Sequence, residues 1–368
     1  MFFEIIIALI ALFLLVVLHE FGHFILAKKF GVKVEEFGIG YPPRIFGKKI
    51  GETIYSLNLI PLGGFVKILG EEGNKEENIK DPRNFNNKPI YQRALIVLGG
   101  VIMFWIIAWV LLSVTMLLGS PTIVSDDMNE NLINPKVQIV AIAPNSPASD
   151  AGIKPGDSIK EISVFEPEFS VYGINKVKNV QELTEKHKGQ EIVLLIERGD
   201  EVFETKLIPR ISPPQGQGSI GIGLARTAIV SYPMSQAIIK GGIETYNFTK
   251  ATIQGWGMVF SSLFSGNGMP AGVQIMGPIG VFDLFAQMSS LGFVYFLRFT
   301  ALISIFLALF NILPIPALDG GKLVFLGIEA IRKKPVSQEL EQKITGFCFF
   351  TLILLMIIVT LKDIQRLF

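Results

Sequence analysis

The sequence predicts a polytopic α-helical membrane protein with about four transmembrane helices and an α/β domain of soluble composition inserted between the second and third. Three observations carry this. Half of the 368 residues are hydrophobic and only 18% are charged, against about 25% charged in soluble domains. The apolar residues gather into four runs able to span a hydrocarbon core of about 30 Å, which takes about 20 helical residues. Most of the charged residues lie between those runs, although mean hydropathy over the chain is +0.48. Such a composition excludes wholesale disorder. With 33 Lys and Arg against 32 Asp and Glu, no global basic field exists to attract nucleic acid, so no nucleic-acid partner is expected. A single cysteine, Cys348, excludes an internal disulfide framework and a cysteine-based zinc cluster.

The first run is Ile5 to Ala27, interrupted only by His19, Glu20 and His23. The second is Ala94 to Leu118, free of charge. The third covers Phe299 to Leu313 and onward to Leu318; apolar Leu291 to Leu297 extends it backwards, with Arg298 as an interruption. The fourth is Ile344 to Leu361. Backbone polar groups in lipid must be bonded internally, so all four are expected as helices. No Lys or Arg precedes the first run, which argues against a cleaved signal peptide. The loop from Ile25 to Arg93 holds 12 Lys and Arg, and a second cluster (Lys322, Arg332, Lys333, Lys334, Lys343) precedes the last run. Both loops are therefore expected in the cytoplasm, and Gly119–Ser290 outside. The charge-free stretch Ala251–Phe282, with seven Gly, two Pro and the run Ser265-Gly-Asn-Gly-Met-Pro270, is expected as helices and loops lying on or dipping into the membrane surface.

The inserted domain is expected over 119–211, within a division of 1–118, 119–211, 212–290 and 291–368. Val137–Ala143 and Ile159–Ser163 read as strands around the Pro155-Gly156-Asp157 turn. Asn179 reads as a helix N-cap, with Glu182 at the capping-box position. Glu191–Arg198, Gly199-Asp200 and Glu201–Leu207 read as a hairpin. The run Asn145-Ser-Pro-Ala…Ala151-Gly-Ile-Lys-Pro-Gly-Asp157 resembles a bacterial PDZ domain, a module that adds an extended peptide to a sheet edge. A spacer that binds nothing is the plainer alternative. Phe165–Val177 is longer and looser than the usual turn, so the groove is expected to be altered.

His19-Glu20-Phe21-Gly22-His23 is H-E-x-x-H, which puts two imidazoles on one helix face and a carboxylate beside them. In a soluble helix this would also suit a solvated polar face. Inside an apolar span each unpaired polar group costs several kcal/mol, and such groups default to function. A catalytic zinc takes three protein ligands and leaves a position for water. The one remaining histidine, His187, lies in the inserted domain and is expected as a solvated helix residue. A carboxylate is therefore needed. The candidate is Asp319, in Asn311-Ile-Leu-Pro314-Ile-Pro316-Ala-Leu-Asp319-Gly320-Gly321. There Pro314 and Pro316 break the helix and Gly320-Gly321 permit a sharp turn. A turn residue or N-cap is the alternative for Asp319.

H-E-x-x-H in the first span, a PDZ-like insert and N-x-x-P-x-P-x-L-D-G-G in the third together resemble the site-2 protease family, specifically its RseP-like bacterial branch with a single PDZ domain. Gly38-Ile-Gly40 and Tyr55–Lys67 resemble that family's membrane-reentrant β-hairpin. The resemblance implies a Zn²⁺ endopeptidase of the bacterial inner membrane that performs regulated intramembrane proteolysis. Its substrates would be single-span membrane proteins, such as anti-sigma factors or signal-peptide remnants, usually trimmed first by a site-1-type protease. It implies His19, His23 and Asp319 as zinc ligands, Glu20 as the base acting on a zinc-activated water, and Asn311 as a contact to substrate backbone. The active site would lie near the cytoplasmic side and the PDZ-like domain would be extracytoplasmic. One departure stands out. The family usually carries G-P-x-x-N in its second span, and this chain reads Gly100-Val101-Ile102-Met103-Phe104, which removes a polar contact near the site. A non-catalytic scaffold and an ion transporter are the rival readings. The complete His19/Glu20/His23/Asp319 set speaks against the first, and four spans without an internal repeat against the second.

Overall fold

A computed structural model describes residues 2–71, 80–128, 132–165, 168–199, 201–214, 216–266 and 276–367. In chain order the elements begin α1 (Phe2–Lys29), β1 (Val34–Ile50), β2 (Thr53–Ile68), α2 (Ile90–Leu118), β3 (Ser120–Ile123) and β4 (Leu132–Ile142). Next come α3 (Pro147–Asp150), β5 (Ser158–Val164), β6 (Ser170–Gly173), α4 (Val177–Lys186), β7 (Ile192–Arg198), β8 (Glu201–Leu207) and β9 (Ile222–Val230). The chain closes with α5 (Met234–Phe264), α6 (Pro278–Ser290), α7 (Phe293–Asn311), α8 (Asp319–Arg332) and α9 (Gln338–Leu367). It divides into two compact units, Met1–Thr115 with Ser235–Phe368, and Met116–Met234.

The first unit is the helical one. Among the described residues, four helices are long and apolar enough to cross a membrane: Ile6–Lys29, Ile90–Leu118, Phe293–Asn311 and Gln338–Gln365. Leu15, Val101, Phe104 and Ala308 form a buried knot that joins α1, α2 and α7. Phe285 of α6 packs with Ala8 and Ala11 of α1 and meets Phe299 of α7 edge-on at 4.8 Å. The outer faces stay apolar, with Phe347, Phe350, Leu354 and Ile357 of α9 exposed, as a helix solvated by lipid requires. Arg298 does not interrupt α7. Glu244 of α5 pairs with it at 3.1 Å and the Phe248 ring lies 5.2 Å beneath it, so its charge is matched within the helix packing.

One expectation for this unit is corrected. The third span stops at Asn311 rather than Leu318, and α8 starts afresh at Asp319, because Pro314 and Pro316 carry no N–H to continue the ladder. Residues 251–264 are one continuous helix, with Trp256 edge-on to Phe306 of α7 at 5.5 Å. This part of the charge-free stretch is therefore helical, as expected, and packs on α7. Most of the Ser265–Pro270 run lies outside the described residues.

The β1–β2 sheet packs beside α1. Its register places the first half of β1 centrally: Phe37 faces Val66 on one side and Tyr55 on the other. Gly64–Ile68 therefore forms an outer border of this sheet.

The second unit is a seven-stranded sheet in the order β3-β9-β4-β5-β7-β8, with β6 paired to β5. Val137, Ile139, Ile159, Ile162, Ile192, Leu194 and Ile196 fill its core. The unit runs past the expected limit at 211, because β9 pairs with both β3 and β4. Residues 222–230 are thus sheet rather than linker. α4 begins at Val177, so Asn179 sits inside the helix, where its Oδ1 accepts from Lys176 N–H at 3.1 Å. The remote Asp126 carboxylate takes the N–H groups of Val177 and Lys178 at 3.0 and 2.9 Å, which satisfies a helix start whose N-cap is Lys176 rather than Asn179. His187 is buried, not solvated, with Nδ1 2.9 Å from Gln190 Oε1. β7 and β8 pair as the expected hairpin; Asp200 of its turn, and residues 166 and 167 of the expected loose stretch, lie outside the described residues.

Candidate metal centre

α1 brings His19 and His23 to one face, and the break after α7 delivers Asp319 at the first position of α8. His19 Nε2 and His23 Nε2 are 3.2 Å apart. Asp319 Oδ2 lies 3.4 Å from the first and 3.5 Å from the second. These are the one group of histidine, cysteine and carboxylate donors among the described residues that converges tightly enough to hold a metal ion. Three ligands at about 2.05 Å on a tetrahedral zinc stand about 3.3 Å apart, so the spacing fits. Asp319 Oδ2 is buried and has no hydrogen-bond partner among the described residues, the condition of an atom whose partner is an ion.

The tautomers follow from the surroundings. His23 Nδ1 lies 2.9 Å from the Ile96 carbonyl. A carbonyl only accepts, so Nδ1 carries the proton and Nε2 keeps its lone pair for the centre. His19 stacks on Phe104 of α2 at 4.5 Å. Glu20 lines the same cavity of about 700 Å³ as His19, Asn311 and Asp319. Its Oε2 accepts the Val66 N–H from the sheet border at 3.2 Å. Asn311 Nδ2 donates to Leu307 O at 3.0 Å on its own helix.

Sequence reasoning missed the glycines that let the helices meet here. A Cβ on Gly22 would meet Gly99 backbone, with Gly99 C at 2.7 Å, so α1 and α2 cross backbone to backbone. A Cβ on Gly100 would stand 2.5 Å from both His19 Nδ1 and His23 Nε2. Gly100 opens the segment that departs from G-P-x-x-N. Within it, Val101 and Phe104 are fully buried, so apolar packing and a ring stacked on His19 replace the polar contact. Gly320 and Gly321 also act differently from expectation. Both lie in the first turn of α8, and a side chain on either would collide with the backbone of 312–316. They serve close approach, which seats Asp319 beneath the break.

Two imidazoles, a carboxylate on a second element and a glutamate beside them, in a helical unit whose long helices are apolar enough to cross a membrane, have the make-up of a metallopeptidase centre. The family profile described as peptidase family M50 matches residues 7–355. A Clostridium acetobutylicum protein provisionally named a zinc metalloprotease is 34% identical over 364 residues, covering 99% of this chain and 98% of its own. The regulator of sigma-W protease RasP of Bacillus subtilis is 29% identical over 447 residues, covering 100% of both chains. A PDZ domain of a Listeria monocytogenes protein covers 27% of this chain and 92% of its own, at 18% identity and a TM-score of 0.20, a likeness too slight to bear on the fold. The chain belongs to peptidase family M50, the site-2 proteases. It is a multi-pass membrane zinc metalloprotease with Zn²⁺ as its cofactor.

Proposed function

We propose that the protein is an intramembrane endopeptidase that cleaves single-span membrane proteins, with zinc held by His19, His23 and Asp319. The observation that carries this is the convergence of three lone-pair atoms within 4.8 Å of one another, beside a carboxylate and a peptide-sized cavity, inside an apolar bundle. Zinc, when bound, supplies Lewis acidity that lowers the pKa of water and polarises a carbonyl. The chain's own groups do the rest. Glu20 accepts the proton of the attacking water through Oε1, since Oε2 holds the Val66 N–H, and returns it to the nitrogen of the breaking C–N bond. A transmembrane helix hides its peptide bonds and must be extended before cleavage. In the Phe37–Val66 pairing the Val66 N–H points away from β1 toward Glu20. The outer border at Gly64–Ile68 can therefore take an added strand beside the carboxylate. Asn311, on the wall of the same cavity, contacts the backbone of that strand.

The basic loops 25–93 and 314–345 support a cytoplasmic position for the site and an extracytoplasmic one for the Met116–Met234 unit in a bacterial inner membrane. That unit, a PDZ-like module by its motif, screens substrates by size after a site-1-type protease has trimmed them. The sigma-W title of the B. subtilis relative supports anti-sigma factors as a substrate class. The test is cleavage of a single-span substrate by purified, zinc-loaded protein in liposomes, with product termini mapped. A protein that holds zinc and cleaves soluble unfolded peptides but no membrane-embedded one contradicts the reading.

A further inference from the structure

The stretch leaving the sheet border is pinned at two points. Val66 N–H donates to Glu20 Oε2, and five residues later Glu71 Oε1 accepts from Lys322 Nζ. Glu71 is held in place by its own N–H on Ile68 O at 3.2 Å, and the neighbouring Gly70 carbonyl accepts from Asn86 Nδ2 at 2.6 Å. Lys322 follows Asp319 by three residues on α8 and so shares its helix face. It is the one Lys or Arg among the described residues that lines the cavity containing His19, Glu20 and Asp319. The ion pair therefore joins the two elements that must agree in position: the sheet border beside Glu20, and the helix that bears Asp319. An exposed pair contributes little stability. A partly buried pair between separate elements can instead specify register.

We propose that Lys322 is a positioning residue for the cleavage reaction. Through Glu71 it fixes the sheet border against the helix bearing Asp319, and so sets which peptide bond of an added strand meets Glu20. This rests on the strand-addition reading above. One residue of slip along a strand moves a carbonyl by about 3.3 Å, enough to exchange one scissile bond for its neighbour. Loosening the pair should therefore lower kcat and spread the cut, while the strand still binds.

The experiment uses full-length protein in liposomes with one single-span substrate, comparing the parent with Lys322→Met, Glu71→Met, the double variant and Lys322→Arg; Met at 71 keeps the length of the side chain and removes its acceptor oxygens. Zinc content, kcat, KM and the product termini by mass spectrometry are measured. Lys322→Met, Glu71→Met and the double variant should behave alike. Each should keep zinc, lose on the order of ten- to a hundredfold in kcat as misplaced reactants do, leave KM within about twofold, and add products cut one or two residues away. Lys322→Arg should restore the single cut. If Glu71→Met matches the parent in kcat and product termini, the latch is overturned, whether or not Lys322→Met folds. If Lys322→Met is impaired while Glu71→Met is normal, Lys322 acts on substrate directly and the proposal is equally wrong. A parent that cuts no membrane substrate sinks the functional reading itself, a different outcome from a parent that cuts once and variants that match it.

Discussion

Gly100→Ala adds one methyl group and should disable the metal centre. The new Cβ would stand 2.5 Å from His19 Nδ1 and from His23 Nε2, and closer still to His19 Cε1. Ordinary carbon contacts begin at about 3.4 Å, so each ring must retreat by about 0.9 Å, against a tolerance of about 0.2 Å in metal–ligand distance. The helices resist absorbing the shift, because α1 and α2 already touch backbone to backbone at Gly22 and Gly99. Separating them opens the buried Leu15–Val101–Phe104–Ala308 knot, and overpacking of this kind costs about 1–3 kcal/mol. Zinc affinity should fall by at least the 10- to 100-fold typical of lost ligand support, and proteolysis with it. The assay is zinc per chain by mass spectrometry on detergent-purified protein, alongside thermal unfolding. Gly255→Ala serves as the control, since its Cβ would meet nothing within 4 Å. A Gly100→Ala protein that holds a full complement of zinc and cleaves at the parent rate would refute the packing argument.

Three further outcomes are expected. His19→Ala, His23→Ala and Asp319→Ala should each lower bound zinc and stop cleavage, whereas His187→Ala, buried in the other unit, should change the unfolding temperature and leave zinc unchanged; a fully active Asp319→Ala enzyme would overturn the ligand set. Burial pushes the Asp157 carboxyl up, but the Arg198 guanidinium and the Lys154 N–H outweigh it and hold it below the usual carboxylate range. The stability this contributes should be present above about pH 4 and lost as pH falls below it through the lower folded value. Unfolding of the Met116–Met234 unit should show that slope, Asp157→Asn should flatten it, and an unchanged slope would contradict the pairing. Tyr232 N–H bonds Met116 O at 2.9 Å, so the unit's ends are adjacent and a short flexible linker can replace Ser120–Ser231. That deletion should spare cleavage of a trimmed substrate and admit one with a bulky outer domain; an unchanged ratio between the two would sink the size-filter role.

The spans were legible because lipid leaves the backbone no alternative to helix, and the donors were legible because His19, Glu20 and His23 make little sense in an apolar run unless they bind something. Asp319 could be found because the two prolines mark the break that presents it. What stayed hidden depends on partners far along the chain. Nothing local distinguishes Gly99 and Gly100 from other helical glycines; their reason is Gly22 and two imidazoles on another helix. The start of α4 was displaced by Asp126, some fifty residues upstream. β9 joined a sheet whose other strands precede it, so the boundary at 211 was set by the last local hairpin rather than by the last strand. Gly320 and Gly321 sit in a row of turn-forming residues and yet work by close approach.

Whether a metal centre inside the bundle works through Glu20 is decided by Glu20→Gln. The amide keeps the side chain's shape but cannot accept a water proton at the Oε1 position. Zinc content and cleavage of a single-span substrate should be measured on the same reconstituted preparation. Parent and variant alike should hold about one zinc per chain, with turnover in the variant lower by roughly 10²-fold or more, the scale of a lost general base. Parental turnover in a zinc-loaded Glu20→Gln protein would contradict this role of Glu20.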